Sequence, residues 1–333
     1  MKVCIVTEGG SKIGYGHITR CISLYQGFRD VKITPLLIVN GDPETKEVLG
    51  NAKNMLFDWT KNDGKLLRII ENCDIVIVDS YIAGRRIYNQ IARVVKLPVY
   101  IDDNIRINYP RGIVVNGTLL SEHFQYAGGK DAIHLLGSRY TPLRKEFWTV
   151  PVKPIESKVQ NILLTFGGED PRSLSTLILK YLAKQYPLVN KQVIIGRGFS
   201  RATVNAVKSV KDSRTRLYYN ASALLMKKTM TKCDIAISAA GQTLYELASA
   251  GVPTIAIQVA DNQRNNIKGW LKTGAISFAG HWDAKDITTS IGQEIDLLQS
   301  KRKRTIMSRR AKELVDGAGT KRIIENLIKY AGV

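Results

Sequence analysis

Val3-Cys4-Ile5-Val6, the stretch Glu8 to Ile13, Gly14-Tyr15-Gly16-His17 and then Ile18, Cys21, Ile22, Tyr25 and Phe28 decide how the rest of this chain is read. The four apolar residues make a buried strand, the polar glycine-containing stretch a loop, and the spacing of the last five residues one helix face. His17 then falls in the first turn of that helix, where unpaired backbone N–H groups attract anions and their positive field disfavours imidazolium. This predicts a neutral His17, ready to accept a proton near pH 7. The same tetrapeptide also suits a tight strand-to-helix turn in which His17 caps or packs, and short glycine motifs are too common to choose between the two.

Outward from this unit the pattern repeats. Ile33 to Val39 reads as a strand ending in the turn Asn40-Gly41-Asp42-Pro43, and Leu66 to Glu71 as a helix. Cys73-Asp74-Ile75-Val76-Ile77-Val78 is a buried strand followed by Asp79-Ser80-Tyr81. Gly84 to Val95 reads as a helix, Val99-Tyr100-Ile101 as a strand leading to Asp102-Asp103-Asn104, and Val114-Val115-Asn116-Gly117 as a further short strand. Strands alternating with helices predict a parallel sheet, in which ligands bind beyond the carboxyl ends of the strands. His17, Asp79, Tyr81, Asp102, Asp103 and Asn116 all fall at that edge. Loop composition by itself also yields many Asp and Asn.

The stretch from Thr141-Pro142-Leu143 through Pro151-Val152-Lys153-Pro154 breaks the alternation and reads as a linker. A second half then begins in the same way, with Asn161-Ile162-Leu163-Leu164-Thr165-Phe166 running into Gly167-Gly168-Glu169-Asp170-Pro171. Ser173 to Tyr186 and Ala223 to Thr231 read as helices, and Gln192 to Gly196 as a strand. Cys233-Asp234-Ile235-Ala236-Ile237-Ser238 echoes Cys73 to Val78, as two domains of one doubly wound type would. The expected organisation is a Rossmann-like domain over 1–145, a second over 155–320 and a C-terminal helix over 321–333.

The 333 residues, 44% of them apolar, suffice for two such cores. The four cysteines, Cys4, Cys21, Cys73 and Cys233, lack metal-ligand spacing, and three sit in or beside apolar patterns where a free thiol packs as a small hydrophobe. No metal and no cofactor are expected, and a reducing cytoplasm is. Met1-Lys2-Val3-Cys4-Ile5 enters a strand directly, and no run of about 18 apolar residues occurs, so neither export nor membrane spanning is expected. The net charge of +20 is densest at Lys301-Arg302-Lys303-Arg304 with Arg309 and Arg310. Neither an aromatic platform nor zinc-finger spacing accompanies it, which disfavours a specific nucleic-acid partner. A solvated face is the plain reading, and a weak pull toward an anionic membrane surface stays open beside it.

A second centre of chemistry lies at Ser238-Ala239-Ala240-Gly241-Gln242-Thr243, where a strand runs into the helical Leu244-Tyr245-Glu246-Leu247-Ala248. Small residues at a helix start let backbone N–H groups approach a diphosphate. Glu246 offers paired acceptors for two ribose hydroxyls, or is a surface residue of an amphipathic helix. The chain turns at Gly251-Val252-Pro253, forms the strand Thr254 to Val259 and emits Asn262 and Gln263, which suit sugar hydroxyls or amides and equally well begin the next helix.

Gly14-Tyr15-Gly16-His17 together with Ser238 to Leu247, Gly251-Val252-Pro253 and Asn262-Gln263 resembles the two-domain sugar-nucleotide enzymes of the GT-B type. More narrowly, the chain is similar to the UDP-sugar hydrolases of pseudaminic acid biosynthesis and the related spore-coat polysaccharide proteins. Asp79, Tyr81, Tyr100-Ile101-Asp102-Asp103, Val115-Asn116, Leu143 to Phe147, Phe166 to Pro171, Asp316-Gly317 and Lys321-Arg322 carry the resemblance further, over about residues 1–325. One departure is Asp79-Ser80-Tyr81, where many relatives have Asp-His-Tyr, which removes an imidazole from the expected cleft edge.

The resemblance implies two Rossmann-like domains facing across a cleft, and inverting hydrolysis of a UDP-2,4-diacetamido-2,4,6-trideoxy hexose by water. His17 is then the expected general base, oriented by Asp79 or Asp102. The substrate-binding set is Gly14, Tyr15, Gly16, Asp79, Tyr81, Asp102, Gly168, Ala240, Gly241, Gln242, Thr243, Glu246, Asn262 and Gln263, with N–H groups around Ala240 to Thr243 stabilising the leaving UDP. An inverting GT-B glycosyltransferase using the same donor, and a non-catalytic sugar-nucleotide or nucleic-acid binding protein, are the alternatives.

Overall fold

The computed structural model describes residues 1–10, 13–126 and 132–332. Ser11 and Lys12, within the expected loop Glu8 to Ile13, and Val333, the end of the expected tail, lie outside them. The chain forms two compact units, one of Met1–Lys145 with Gly317–Val333 and one of Glu146–Asp316. It therefore leaves the first unit inside the proline-containing stretch 141–154 and re-enters it at Gly317, ahead of Lys321.

In the first unit, β1 (Val3–Gly9), α1 (Gly16–Asp30), β2 (Leu36–Gly41), α2 (Thr45–Leu49), β3 (Asn54–Leu56), α3 (Asp63–Ile70), β4 (Ile75–Asp79), α4 (Arg85–Val94), β5 (Leu97–Ile101), β6 (Gly112–Asn116) and β7 (Ala132–Leu136) follow in order. The seven strands form one parallel sheet in the order β3-β2-β1-β4-β5-β6-β7. Pro35 has no N–H for the ladder, so β2 starts at Leu36 and not at Ile33. Every residue of β1 is buried, as a central strand covered on both faces requires. Val3 and Ile5 pack with Ile18, Leu24 and Phe28 of α1, whereas Cys4 and Val6 face Leu66, Ile70, Ile87 and Ile91 of α3 and α4.

The second unit runs β8 (Asn161–Thr165), α5 (Leu174–Gln185), β9 (Asn190–Ile195), α6 (Arg201–Val210), β10 (Thr215–Tyr219), α7 (Ala223–Met230), β11 (Ile235–Ala239), α8 (Thr243–Ser249), β12 (Thr254–Gln258), α9 (Arg264–Thr273), β13 (Ile276–His281), α10 (Ile287–Leu297) and α11 (Lys301–Leu314). Its six strands are parallel in the order β10-β9-β8-β11-β12-β13. The final helix, α12 (Gly319–Tyr330), packs on α1, and a Cβ placed on Gly27 would lie 2.7 Å from Ile324. Ile323, Ile324 and Leu327 are buried there among the side chains that cover β1.

The Cys-Asp echo marks equivalent places in the two units. Asp74, just before β4, accepts the N–H of Lys2 at 2.7 Å, while Asp234, just before β11, accepts those of Gln160 and Asn161 at 2.9 Å. In each unit this carboxylate fixes the start of the neighbouring first strand, β1 or β8, in register. The basic cluster is less uniformly solvated than its charge suggests. Arg304 is fully buried and donates to the carbonyls of Leu298, Glu156 and Ser157, while Lys301, Arg302, Lys303, Arg309 and Arg310 are exposed. No helix among the described residues is long and apolar enough to cross a membrane.

Candidate active site

In a doubly wound sheet the two strands where the order reverses part their loops, leaving a crevice at their carboxyl ends. In the first unit these strands are β1 and β4, whose following segments carry His17 and Asp79 to Tyr81. In the second they are β8 and β11, followed by Gly167-Gly168 and by Ala240 to Thr243. Both motifs singled out in the sequence thus occupy the switch point of their own sheet.

The loop after β1 is closed by backbone bonds between Gly10 and Gly14, at 3.1 and 2.8 Å. Gly14 has φ +85° and, among the described residues, nothing within 4 Å of where a Cβ would stand, so it serves the turn. Tyr15 precedes the first residue of α1 and accepts the N–H of Thr19. A Cβ at Gly16 would likewise meet nothing within 4 Å among the described residues.

His17 is buried, with 9% of its surface exposed, and its Nδ1 lies 2.7 Å from Oδ1 of the fully buried Asp79. Since the carboxylate can only accept, Nδ1 carries the proton and Nε2 is left as the basic atom of the neutral ring. Arg20, one turn further along α1, donates Nε to Asp79 Oδ2 at 2.9 Å and Nη2 to Oδ1 at 2.7 Å. Its Nη1 reaches Asp103 Oδ1 at 2.7 Å, and Asp103 Oδ2 accepts the Tyr81 hydroxyl at 2.7 Å. The Tyr81 ring meets His17 edge-on, with centroids 4.4 Å apart.

Electrostatics follow from this packing. Burial opposes the imidazolium, but the charge and hydrogen bond of Asp79 outweigh it and raise the His17 pKa above its ordinary value. The helix field expected from the sequence acts in the opposite direction and is outweighed, because a carboxylate in contact exceeds a partial charge at the helix end. Burial likewise opposes ionisation of Asp79, yet Arg20 and His17 hold its carboxyl well below the usual range. Burial and the nearby Asp103 push the Tyr81 hydroxyl up, so it remains a donor.

Asp102 does not join this cluster. Its oxygens accept from the N–H groups of Ile105 and Arg106 and from the hydroxyls of Tyr109 and Tyr126, which fixes the loop after β5. Asn116 donates to Tyr126 and accepts from Thr118. Of the six polar residues at the sheet edge, His17, Asp79, Tyr81 and Asp103 therefore converge, while Asp102 and Asn116 brace loops. Ser80 lies on the opposite face from Asp79, 1% exposed, where its hydroxyl bonds to Glu8 and accepts the N–H of Ala83. A different side chain at position 80 thus changes the Glu8 side of the sheet, so the departure from Asp-His-Tyr falls on the opposite face from Asp79. Glu8 also accepts the N–H groups of Tyr81 at 2.6 Å and Ile82 at 3.1 Å, and so holds the turn that presents Tyr81.

Sequence reasoning missed Glu8 and Arg20 as members of the site. For Arg20 a signal existed, since a basic residue three positions after His17 shares its helix face. Glu8 carried none, as a charged residue ending a buried strand reads as the start of a loop.

In the second unit, the N–H of Ala240 is bonded to Ile257 O, those of Leu244 and Tyr245 to Gly241 O and Gln242 O. Ala240 is therefore removed from the expected set of anion donors, whereas Gly241 and Thr243 find no backbone acceptor for their N–H groups among the described residues. The nearest atom to a Cβ at Gly241 would be Gln263 Nε2, 3.8 Å away. Gln263 Oε1 accepts the N–H of Val259 at 3.0 Å, which leaves its amide nitrogen on the Gly241 side, and Asn262 beside it is exposed. Glu246 is only 4% exposed, so it is no surface residue of α8. Gly168 O accepts the Gly198 N–H at 2.9 Å, and any side chain at Gly196 would strike that carbonyl. Asp170 accepts the N–H groups of Leu174 and Ser175 and so satisfies two of the free donors at the start of α5. No group of three or more His, Cys, Asp or Glu among the described residues is arranged to hold a metal ion.

Two parallel-sheet α/β domains of seven and six strands are a GT-B architecture, and solved structures of that type match. MurG of Acinetobacter baumannii superposes with a TM-score of 0.65 at 14% identity, covering 98% of this chain and 99% of its own. The UDP-GlcNAc 2-epimerase of Neisseria meningitidis, bound to UDP-GlcNAc, gives 0.63 at 16% identity, covering 99% and 100%. No protein-family model matches the chain. In sequence, it is 26% identical over 266 residues to the pseudaminic acid cytidylyltransferase and UDP-2,4-diacetamido-2,4,6-trideoxy-beta-L-altropyranose hydrolase of Helicobacter pylori, covering 79% of this chain and 45% of that protein. An uncharacterized protein of Methanocaldococcus jannaschii is 26% identical across 82% of this chain and 58% of its own length. The chain thus spans about half the length of these two relatives. The spore coat polysaccharide biosynthesis protein SpsG of Bacillus subtilis is 23% identical across 97% of this chain and 96% of its own.

Proposed function

We propose that this chain is a UDP-sugar hydrolase of surface-polysaccharide biosynthesis, releasing UDP and a free 2,4-diacetamido-2,4,6-trideoxy hexose with inversion at the anomeric carbon. The observation that carries the reading is the Nδ1-to-Asp79 bond of 2.7 Å, which leaves Nε2 of His17 as a base at the switch point of the first sheet. The likeness to a relative whose name includes such a hydrolase supports the substrate class. In the reaction Nε2 takes a proton from water, the water oxygen bonds to the anomeric carbon, and the bond from that carbon to the diphosphate oxygen breaks with its electrons passing to UDP. The N–H groups of Gly241 and Thr243 would stabilise the charge on the departing diphosphate, with Gln242, Asn262 and Gln263 nearby. Glu246 would accept hydrogen bonds from the ribose hydroxyls, and Gly14, Tyr15, Gly16, Tyr81 and Gly168 would line the substrate. The protein needs no cofactor in this scheme.

The deciding experiment incubates purified protein with a small panel of UDP-diacetamido sugars and follows products by mass spectrometry and anomeric-proton NMR. Free sugar of inverted configuration, formed without an acceptor and reduced at least about 100-fold in His17→Ala, is the expected result. Turnover only when an acceptor is added would assign a glycosyltransferase instead. Binding without turnover, unchanged in His17→Ala, would assign a carrier of the nucleotide sugar.

A further inference from the structure

We propose that Arg20 and Asp103 are positioning residues that tune the basicity of His17 in opposite directions through Asp79. The inference rests on the reading of His17 as a base, and it concerns residues that the sequence motifs leave without a role.

The geometry is a closed ring of five side chains: His17 to Asp79, Asp79 to Arg20, Arg20 to Asp103, Asp103 to Tyr81, and Tyr81 edge-on to His17. Oδ1 of Asp79 is shared at 2.7 Å by His17 Nδ1 and Arg20 Nη2, so the two donors compete for one acceptor. An unshared buried carboxylate would place its whole charge on the imidazole and hold the proton too firmly for a base working near neutrality. Arg20 withdraws part of that charge, and its direct approach of 3.5 Å to His17 Nδ1 further disfavours a second proton on the ring. Asp103 neutralises Arg20 in turn, and the Tyr81 hydroxyl holds Asp103 in place. The groups facing His17 are Arg20 on its own helix, Asp79 and Tyr81 from the end of β4, and Asp103 past β5; Cys21 of α1 adds a weak bond to Asp79 Oδ2 at 3.7 Å.

The two residues therefore carry opposite signs, which a purely structural brace would not. NMR titration of the His17 side chain in the full-length protein, free of substrate, reads this directly. Arg20→Met is expected to raise the midpoint and Asp103→Asn to lower it, each by roughly one pH unit, while Arg20→Lys restores most of the wild-type value. Asp103 is half-buried, so Asp103→Asn keeps the test open if Arg20→Met fails to fold, and Tyr81→Phe should move the midpoint less than Asp103→Asn does. A midpoint unmoved in Asp103→Asn, or raised there, overturns the proposal. If the midpoints move as expected while the pH dependence of kcat/KM stays fixed, the tuning stands and the assignment of His17 as the base fails.

Discussion

At His17 two influences of opposite sign meet, and the nearer one dominates. A helix N-terminus acts through partial charges, worth about 0.3–1 kcal/mol at exposed positions, whereas Asp79 is a full charge in hydrogen-bond contact. The base should therefore become available only above its ordinary value of 6.5, and the acid limb of kcat/KM should lie on that side. A limb below that value would contradict the assignment. The same pair links stability to pH with a definite sign. Folding raises the pKa of His17, so its stabilisation is complete below 6.5 and is lost as pH rises through the folded-state value. Folding lowers that of Asp79, so its contribution is present above 3.8 and is lost as acid protonates it in the folded state. Urea titrations at several pH values, comparing wild type with Asp79→Asn, measure both limbs.

At the scale of elements, the site depends on where α1 is held. Gly9 permits the approach of Ile18, since a Cβ there would stand 2.6 Å from its Cδ1, and Gly27 permits that of α12 at the other end. The C-terminal helix belongs to the first unit because its apolar stripe, Ile323, Ile324 and Leu327, completes the cover of β1 beside Phe28. Ile324→Ala removes a buried side chain, 2% exposed, against the neck of this contact. It should cost about 2–5 kcal/mol in denaturant unfolding, as large-to-small core substitutions do. A cost below about 1 kcal/mol would mean that α12 docks loosely. A C-terminal helix was expected over 321–333 and forms over Gly319–Tyr330, but the choice of which unit to cover was not legible in the sequence.

At the scale of the molecule, the same switch-point logic operates twice, with different chemistry at each. The first sheet gathers ionisable side chains, and the second presents backbone N–H groups among small residues. The hydrolysis proposed above invokes no Lewis acid. Turnover in excess chelator is expected to equal turnover without it, and a loss that added magnesium restores would overturn the scheme. The +20 net charge is spent unevenly, with Arg304 sealing backbone carbonyls inside the second unit while its neighbours on α11 stay in solvent.

The alternation of apolar runs with amphipathic stretches is a local property, so the sequence alone determined the α/β class, most of the strands around each motif, and the placing of His17 at the start of α1. Short strands such as β3, β7 and β10 escaped because a few residues at a sheet edge carry too little periodicity to stand out. The partner of His17 was also beyond local reading. Asp79 and Asp102 end adjacent strands and look alike in sequence, and only the register of β1 against β4, Thr7 opposite Asp79, puts one carboxylate against the imidazole. The other turns into its own loop. The pairing of β1 with β4 joins residues about seventy positions apart, Thr7 with Asp79 among them, and the pleat then decides which side of the sheet each one faces. That is why Ser80, between Asp79 and Tyr81, belongs to Glu8 and not to His17.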